Sequence, residues 1–187
     1  DALDRLTSAQ GAYGTLSWTY DAVGNRLSQQ KTSGTTTNHT NTYAATSNRL
    51  QSVTYGGVTR GFTYTPTGNV AVDDRGAQDD LTFTSNAANR LVSISSPTQT
   101  LASMVYDGLG RRVQLISGGV TTKYHYDSTE RLIAISDANG NWSETIWLGD
   151  LPVAQASGSN LYAIHSDQVG QPVKMSNAAG ALVWQRT

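Results

Sequence analysis

The chain of 187 residues contains no cysteine, which excludes disulfide staples and thiolate metal sites. It is also poor in charge. Only 14% of its residues are Asp, Glu, Lys or Arg, and 13 basic against 14 acidic side chains leave a formal net charge of −1. Both signs are scattered, so the clustered basic face that a nucleic-acid partner needs is missing. No apolar run approaches the ~20 residues of a membrane span, and no charged-then-apolar leader opens the chain. Helical periodicity is absent as well: no capped stretch repeats its apolar residues every 3.6 positions, so almost no helix is expected. Disorder does not fit either, because disordered chains are charge-rich and aromatic-poor. The abundant Thr, Ser, Asn, Gln and Gly suit a sheet with much water-facing surface.

What the chain does have is a repeat of about 20 residues. Tyr20-Asp21-Ala-Val-Gly24-Asn25-Arg26-Leu27 is its clearest copy. Worn copies begin at Tyr43, Tyr64 (with Gly68 and Asn69), Phe83, Tyr106 (with Asp107, Gly110 and Arg111) and Tyr126 (with Asp127, Arg131 and Leu132). Asp1–Leu6 reads as the same unit without its Tyr, so the chain reads as a piece of a longer protein. Period-two alternation leads into most copies: Leu16, Trp18 and Tyr20 share one strand face, as do Phe62/Tyr64, Leu81/Phe83, Met104/Tyr106 and Tyr124/Tyr126. The Asp residues can accept hydrogen bonds from backbone N–H two positions on, and Gly-Asn tolerates positive φ, so each copy is expected to be a hairpin corner. Arg stands six residues after Tyr20 but five after Tyr126, which predicts two classes of turn. Less regular connections lie between the corners, at 32–35, 55–58, 73–79, 95–98, 117–119 and 137–141. The expected fold is all-β, an antiparallel meander with two strands per repeat. Leu27, Leu50, Leu91 and Leu132 are expected to fill the gaps between successive Tyr residues on one face.

From about residue 137 the text changes, to a denser apolar hairpin over 142–154 and then Tyr162-Ala-Ile-His-Ser-Asp167-Gln-Val-Gly170-Gln-Pro172. Asn177-Ala-Ala-Gly180-Ala-Leu-Val-Trp184 closes it. The motifs at 20–27 and 106–112 resemble the repeat that names the RHS/YD-repeat proteins, and 162–184 resembles the RHS-associated core region that follows the last repeats. The resemblance implies a YD-repeat array of about seven degenerate units over 1–136 and the start of the core over 137–187, continuous with the same sheet. It implies a curved, spiralling sheet that closes into a hollow β-shell around a C-terminal toxin domain, in secreted or cell-surface bacterial proteins. Related shells serve adhesion. The family's autoproteolytic Asp-Pro-x-Gly-Leu sequence has no counterpart here: the chain has no Asp-Pro pair and ends at Thr187. No catalytic residue is carried over.

The residues give enzyme chemistry little support. His39, His125 and His165 form no spaced ligand set, and no Gly-x-Ser-x-Gly elbow occurs. His125 is expected on the face opposite Tyr124 and Tyr126, in water. Asp73, Asp74, Asp79 and Asp80 could offer oxygen ligands to a hard cation; the plainer reading is a solvated loop. Asp137–Asn141 lacks the Glu of a calcium loop, and the sequons at Asn38 and Asn141 are chance matches in so polar a chain. Arg26, Arg49, Arg90, Arg112 and Arg131 could engage an acidic ligand or glycan. The structural alternative pairs them with Asp21, Asp107, Asp127 or Glu130 of neighbouring repeats, or lays them over Tyr rings. The expectation is therefore a non-catalytic shell segment with no cofactor or metal. Its partners would be neighbouring repeats, the enclosed toxin domain and, through strand edges, other copies. The alternative is an adhesion or carbohydrate-binding module.

Overall fold

The structure, a computed structural model, describes residues 1–76 and 78–186; Ala77, within the 73–79 connection, and Thr187 lie outside the described residues. Two compact units divide the chain, Asp1–Thr100 and Leu101–Thr187. Both are all-β, with no helix among the described residues.

The first unit holds β1 (Ser8–Gly11), β2 (Gly14–Tyr20), β3 (Arg26–Ser33), β4 (Thr35–Tyr43), β5 (Leu50–Tyr55), β6 (Val58–Tyr64), β7 (Val70–Asp74), β8 (Leu81–Ser85) and β9 (Leu91–Ser95). Each strand pairs antiparallel with the next. The second unit contains β10 (Thr100–Tyr106), β11 (Arg112–Ser117), β12 (Val120–Tyr126), β13 (Leu132–Asp137), β14 (Trp142–Leu148), β15 (Leu151–Ser157), β16 (Asn160–Ser166), β17 (Pro172–Ser176) and β18 (Leu182–Gln185), paired in the same sequential way. β13 pairs with β14 across residue 137 without a break. The meander expected from the alternating sequence is present in both units.

The register sorts side chains by face. In the first unit Trp18, Gln29, His39 and Tyr55 fall in one cross-strand row, as do Val53 with Arg60 and Phe62 with Asp73. This face carries the aromatic residues. The opposite face is a carpet of hydroxyls: Thr19 meets Ser28 at 2.6 Å, Thr42 meets Ser52 at 2.7 Å and Thr54 meets Thr59 at 2.8 Å. A sheet so divided has a wet face and a face that wants cover. Within each unit it covers very little of itself. Asp73 is the one buried residue described in the first unit, and Ala134, Ser136 and Pro152 are those of the second.

The corners share one geometry. In the hairpin after β2 the register runs Thr19–Ser28 and then Tyr20–Arg26, leaving Leu27 unpaired in a β-bulge. Tyr64–Val70, Ser85–Leu91, Tyr106–Arg112, Tyr126–Leu132, Ser166–Pro172 and Ser176–Leu182 repeat this spacing. The two expected classes of turn are therefore one. Arg131 is the counterpart of Asn25 and Arg111, not of Arg26, and Glu130 (φ 68°) stands where Gly24 (φ 97°) and Gly110 (φ 85°) stand. Three aligned letters, Arg-Leu with a preceding polar residue, had hidden a one-residue offset. The corner after Tyr43 departs in length, pairing with Leu50 one residue later. A further correction concerns the fourth copy: Ser85, not Phe83, holds the Tyr position.

Candidate functional site

At most corners an Asx residue builds the turn; after Tyr64 the Thr65 hydroxyl takes its part, accepting Asn69 N at 3.1 Å, and the corner after Tyr43 opens on Ala44. Asp21 Oδ1 accepts the backbone N–H of Val23 at 3.0 Å and of Asn25 at 2.8 Å, while Oδ2 accepts Asn25 Nδ2 at 2.8 Å. Asp107 does the same with Leu109 N (3.0 Å), Arg111 N (2.9 Å) and Arg111 Nε (2.7 Å). Asp127 receives Thr129 N (2.8 Å), Arg131 N (3.0 Å) and Arg131 Nε (2.8 Å). Asp1 repeats the pattern with Leu3, Arg5 and Arg5 Nε, as expected for a unit lacking only its Tyr. Asp137, Asp167 and Asn177 make the same corner, so the core-region residues Asp167, Gly170 and Gly180 serve the geometry of the repeat. That kinship is written in the spacing Asp-x-x-Gly at 137–140 and 167–170, and Asn-x-x-Gly at 177–180.

Next, the corners are tied to one another. Tyr20 Oη donates to Leu6 O at 2.8 Å, Tyr43 Oη to Arg26 O at 3.0 Å, Tyr64 Oη to Leu50 O at 2.7 Å and Tyr126 Oη to Arg112 O at 3.1 Å. In the apolar hairpin Trp147 takes over this part, donating Nε1 to Leu132 O at 3.2 Å. Arg26, Leu50, Arg112 and Leu132 each open the preceding corner's return strand, and Leu6 lies two residues ahead of β1. The last side chain of the previous corner then covers the ring. Arg5 lies 4.8 Å from the Tyr20 centroid, Arg49 5.5 Å from Tyr64, Arg111 5.0 Å from Tyr126 and Arg131 5.8 Å from Trp147. Arg5, Arg111 and Arg131 also reach a backbone carbonyl in the next corner, Asp21 O, Asp127 O and Gly149 O. Where the last residue is Asn the link is an amide: Asn25 Nδ2 donates to Asn48 Oδ1 and Asn69 Nδ2 to Asn89 Oδ1, both at 3.2 Å.

Two expectations change accordingly. Arg111 and Arg131 pair with the Asp of their own corner, at 2.7 and 2.8 Å, and reach the neighbouring repeat through its ring and carbonyl. The Asx turn brings its first and last side chains together, which favours the internal pair. The Tyr–Leu filling is also partial. Leu50 and Leu132 stand opposite Tyr43 and Tyr126, but Arg26 stands opposite Tyr20, with Leu27 in the bulge. Of the remaining signature residues, Tyr162 is half-buried and pairs with Gln155, and Pro172 pairs with Ser166.

Electrostatically the corners are sinks for negative charge. Partial burial pushes the Asp21, Asp107 and Asp127 carboxyls up, and the Asx hydrogen bonds overcome it, holding all three below the ordinary range. Asp137 is lowered first by the Asn141 amide, and Asp167 first by the Gln171 N–H.

In the acidic 73–80 segment Asp73 departs from the solvated loop that the sequence suggests, while Asp74 and Asp79 are exposed as expected. Asp73 lies in β7 at 3% exposure. Its carboxylate takes a two-pronged bond from Arg60, with Nε at 3.0 Å, and Nε and Nη2 of Arg75 at 2.8 Å each. The Arg60 bonds lower its pKa, against the opposing effect of burial, and Arg75 adds to them. Asp80 instead caps the bend, accepting Arg75 N and Gly76 N. No cluster of three or more ionisable ligands among the described residues could hold a metal.

His125 does lie opposite Tyr124, yet it is half-buried and not fully in water. It stacks on Trp142 at 4.5 Å and its Nε2 is 2.9 Å from Ser136 Oγ. His165 repeats the second contact with Ser176 at 2.9 Å, and His39 stacks on Tyr55 at 4.1 Å. Ser136 is buried. These pairs are cross-strand packing.

The class defined so far is an all-β antiparallel meander whose repeats are stitched at aromatic–Asx corners. No protein-family model matches the chain, and no curated protein does. Solved toxin-complex structures share the fold: TcdB2-TccC3-Cdc42, with a TM-score of 0.61 over 95% of this chain at 13% identity, and TcdB2-TccC3, with 0.60 over 95% at 14%. A Photorhabdus luminescens Tc holotoxin pore gives 0.53 over 89% at 18%. The chain spans about a tenth of those chains, 11%, 11% and 9% respectively. At such identity the likeness is one of fold.

Proposed function

We propose that this chain is a non-catalytic wall segment of an RHS/YD-repeat shell that, in a secreted or cell-surface parent, encloses a C-terminal toxin domain. The observation that carries the reading is the stitched corner, in which Tyr and Asp have structural tasks that explain the repeat letter by letter. The fold likeness to toxin-complex chains supports it. On this reading residues 1–136 belong to the repeat array and 137–187 to the start of the core region. The aromatic face of a sheet that buries so little of itself gains its cover from the rest of the wall or from cargo. Separated from such cover, strand edges pair with other copies, and scattering mass should rise with concentration.

The test is made on the parent gene product. An Asp-Pro-x-Gly-Leu stretch and a variable domain should follow the core, and that domain should resist protease until the wall is opened by denaturant. A following domain cleaved at once in the intact protein would overturn the proposal.

A further inference from the structure

One corner of the second unit differs from the rest in its covalent chemistry. Between β13 and β14, Ser136 pairs with Trp142 across the turn Asp137-Ala138-Asn139-Gly140-Asn141. Asn139 is the one asparagine of the chain that is followed by glycine. It stands exposed at the tip, and its side-chain amide has no hydrogen-bond partner among the described residues. Other corner amides are tied: Asn25 to Asp21 at 2.8 Å, Asn141 to Asp137 at 2.7 Å and Asn69 to Asn89 at 3.2 Å. Gly140 N bonds to Asp137 O at 3.4 Å, against 3.0 Å for the equivalent bonds of Gly110 and Gly170 and 2.9 Å for those of Gly68 and Gly180. Its φ is 83°, and open space surrounds the place a Cβ would take, so no side chain screens its nitrogen.

We infer that Asn139 is a site of spontaneous deamidation in the folded chain. Gly140 N gives up its proton to hydroxide and attacks Asn139 Cγ. The N–Cγ bond forms, the Cγ–Nδ2 bond breaks, and Nδ2 takes a proton from water and leaves as ammonia. Water then opens the cyclic imide at either carbonyl, leaving aspartate or isoaspartate at position 139. A glycine nitrogen suits the attack, because no Cβ crowds the closing ring and the backbone turns freely once its long bond opens. The isoaspartate form carries one extra main-chain carbon. Asp137 Oδ1 bridges this stretch through Asn139 N and Asn141 N, both at 2.9 Å, and a longer chain no longer fits both bonds. Trp142 follows directly and stacks on His125, so the loosened corner reaches β12. Asp107-Gly108 gives the contrast within the same fold. Burial pushes the Asp107 carboxyl up, but its bonds from Arg111 and Leu109 outweigh this and hold it ionised, so the acid form that a nitrogen attacks is scarce. The inference does not rest on the shell reading.

The experiment incubates the full chain in neutral and mildly alkaline buffer and follows it by peptide mass spectrometry and isoaspartate-specific methyl transfer. Residue 139 should convert first, and faster at the higher pH, with Asn25, Asn69 and Asn141 intact over the same interval. A parallel sample unfolded in guanidinium should convert at 139 at a similar rate, since the fold does not shield the site. Asn139→Gln, whose longer side chain closes the imide far more slowly, should lose the methyl-transfer signal with circular dichroism unchanged. The isoaspartate form should exchange the amides of β13 and β14 faster than fresh protein, with β2 and β3 unaltered. No conversion at 139 in the folded chain, conversion there many times slower than in the unfolded sample, equal conversion at Asn141, methyl transfer that persists in Asn139→Gln, or unchanged exchange in β13 and β14 would each overturn the inference.

Discussion

Replacing Asp73 by Asn tests whether β7 is held by charge. The carboxylate is buried, its side chain 4% exposed, whereas Arg60 and Arg75 are 45% and 38% exposed. Hydrogen bonds to charged groups contribute about 1.5–3 kcal/mol each, and stranding one partner of a fully buried pair costs about 3–5 kcal/mol. Neither figure applies whole. Asn keeps the shape and one acceptor, and both guanidinium groups can turn to water. A loss of about 2 kcal/mol is the reasoned value, roughly 30-fold in a local opening equilibrium. Because nearest-neighbour arrays open locally, the assay is amide hydrogen exchange over β6–β8, where protection should fall by that factor and remain unchanged in the second unit. The pH arm fixes the sign. A carboxyl lowered on folding contributes fully above its unfolded pKa of about 3.9 and loses its contribution as pH falls through the folded value. Wild type and Asp73→Asn should therefore differ fully at pH 7 and converge below about pH 4. Equal protection at pH 7, or a gap that persists in acid, would refute the argument.

Tyr64→Phe removes the hydroxyl bonded to Leu50 O and should cost about 1 kcal/mol, lowering the protection of β5 and β6. Tyr55→Phe is the control, its ring being engaged with His39. The corner carboxylates Asp21, Asp107, Asp127, Asp137 and Asp167 are all lowered on folding. Their stabilisation is present above about pH 4 and lost below it. Acid titration followed by circular dichroism should show this, and Asp107→Asn should flatten the curve by lowering neutral stability toward the acid value, the turn itself being kept because Asn86 already makes such a corner. Glu130→Gly relieves a left-handed residue that costs about 1–2 kcal/mol, partly offset by the freer unfolded chain. Thermal melting should rise by an amount equivalent to about 0.5–1 kcal/mol, whereas Gly110→Ala should lower it.

The corners were legible because their chemistry is local. An Asx side chain reaches only two to four residues ahead, so Tyr-Asp-x-x-Gly states the turn in its own letters. The register of the return strand was less legible, because Glu130 occupies a glycine position and shifts the apparent place of Arg131. Asp73 is illegible in the sequence for a different reason. Its neighbours Asp74 and Gly76 look like a loop, while the residue that buries it, Arg60, comes from the adjacent strand thirteen positions away. His125 likewise owes its cover to Trp142, two strands on. What failed to show in the sequence was cross-strand company, which depends on register and not on the segment itself.

A sheet with so few buried residues needs a source of order other than a core, and the corners supply it. The hydroxyls of Tyr20, Tyr43, Tyr64 and Tyr126 each close on a carbonyl one repeat back, worth about 1 kcal/mol net, and each covering Arg adds about 0.5–1 kcal/mol at an exposed ring. These terms join only neighbours, so they add along the array and no repeat is indispensable. That is why wear is tolerated. Ser85 can replace Tyr, Trp147 can replace both ring and donor, and an Asn pair can replace the Arg-on-ring contact without interrupting the meander. Order in such a sheet depends on the number of intact stitches, which leaves the exposed strand faces free to vary without loss of the fold.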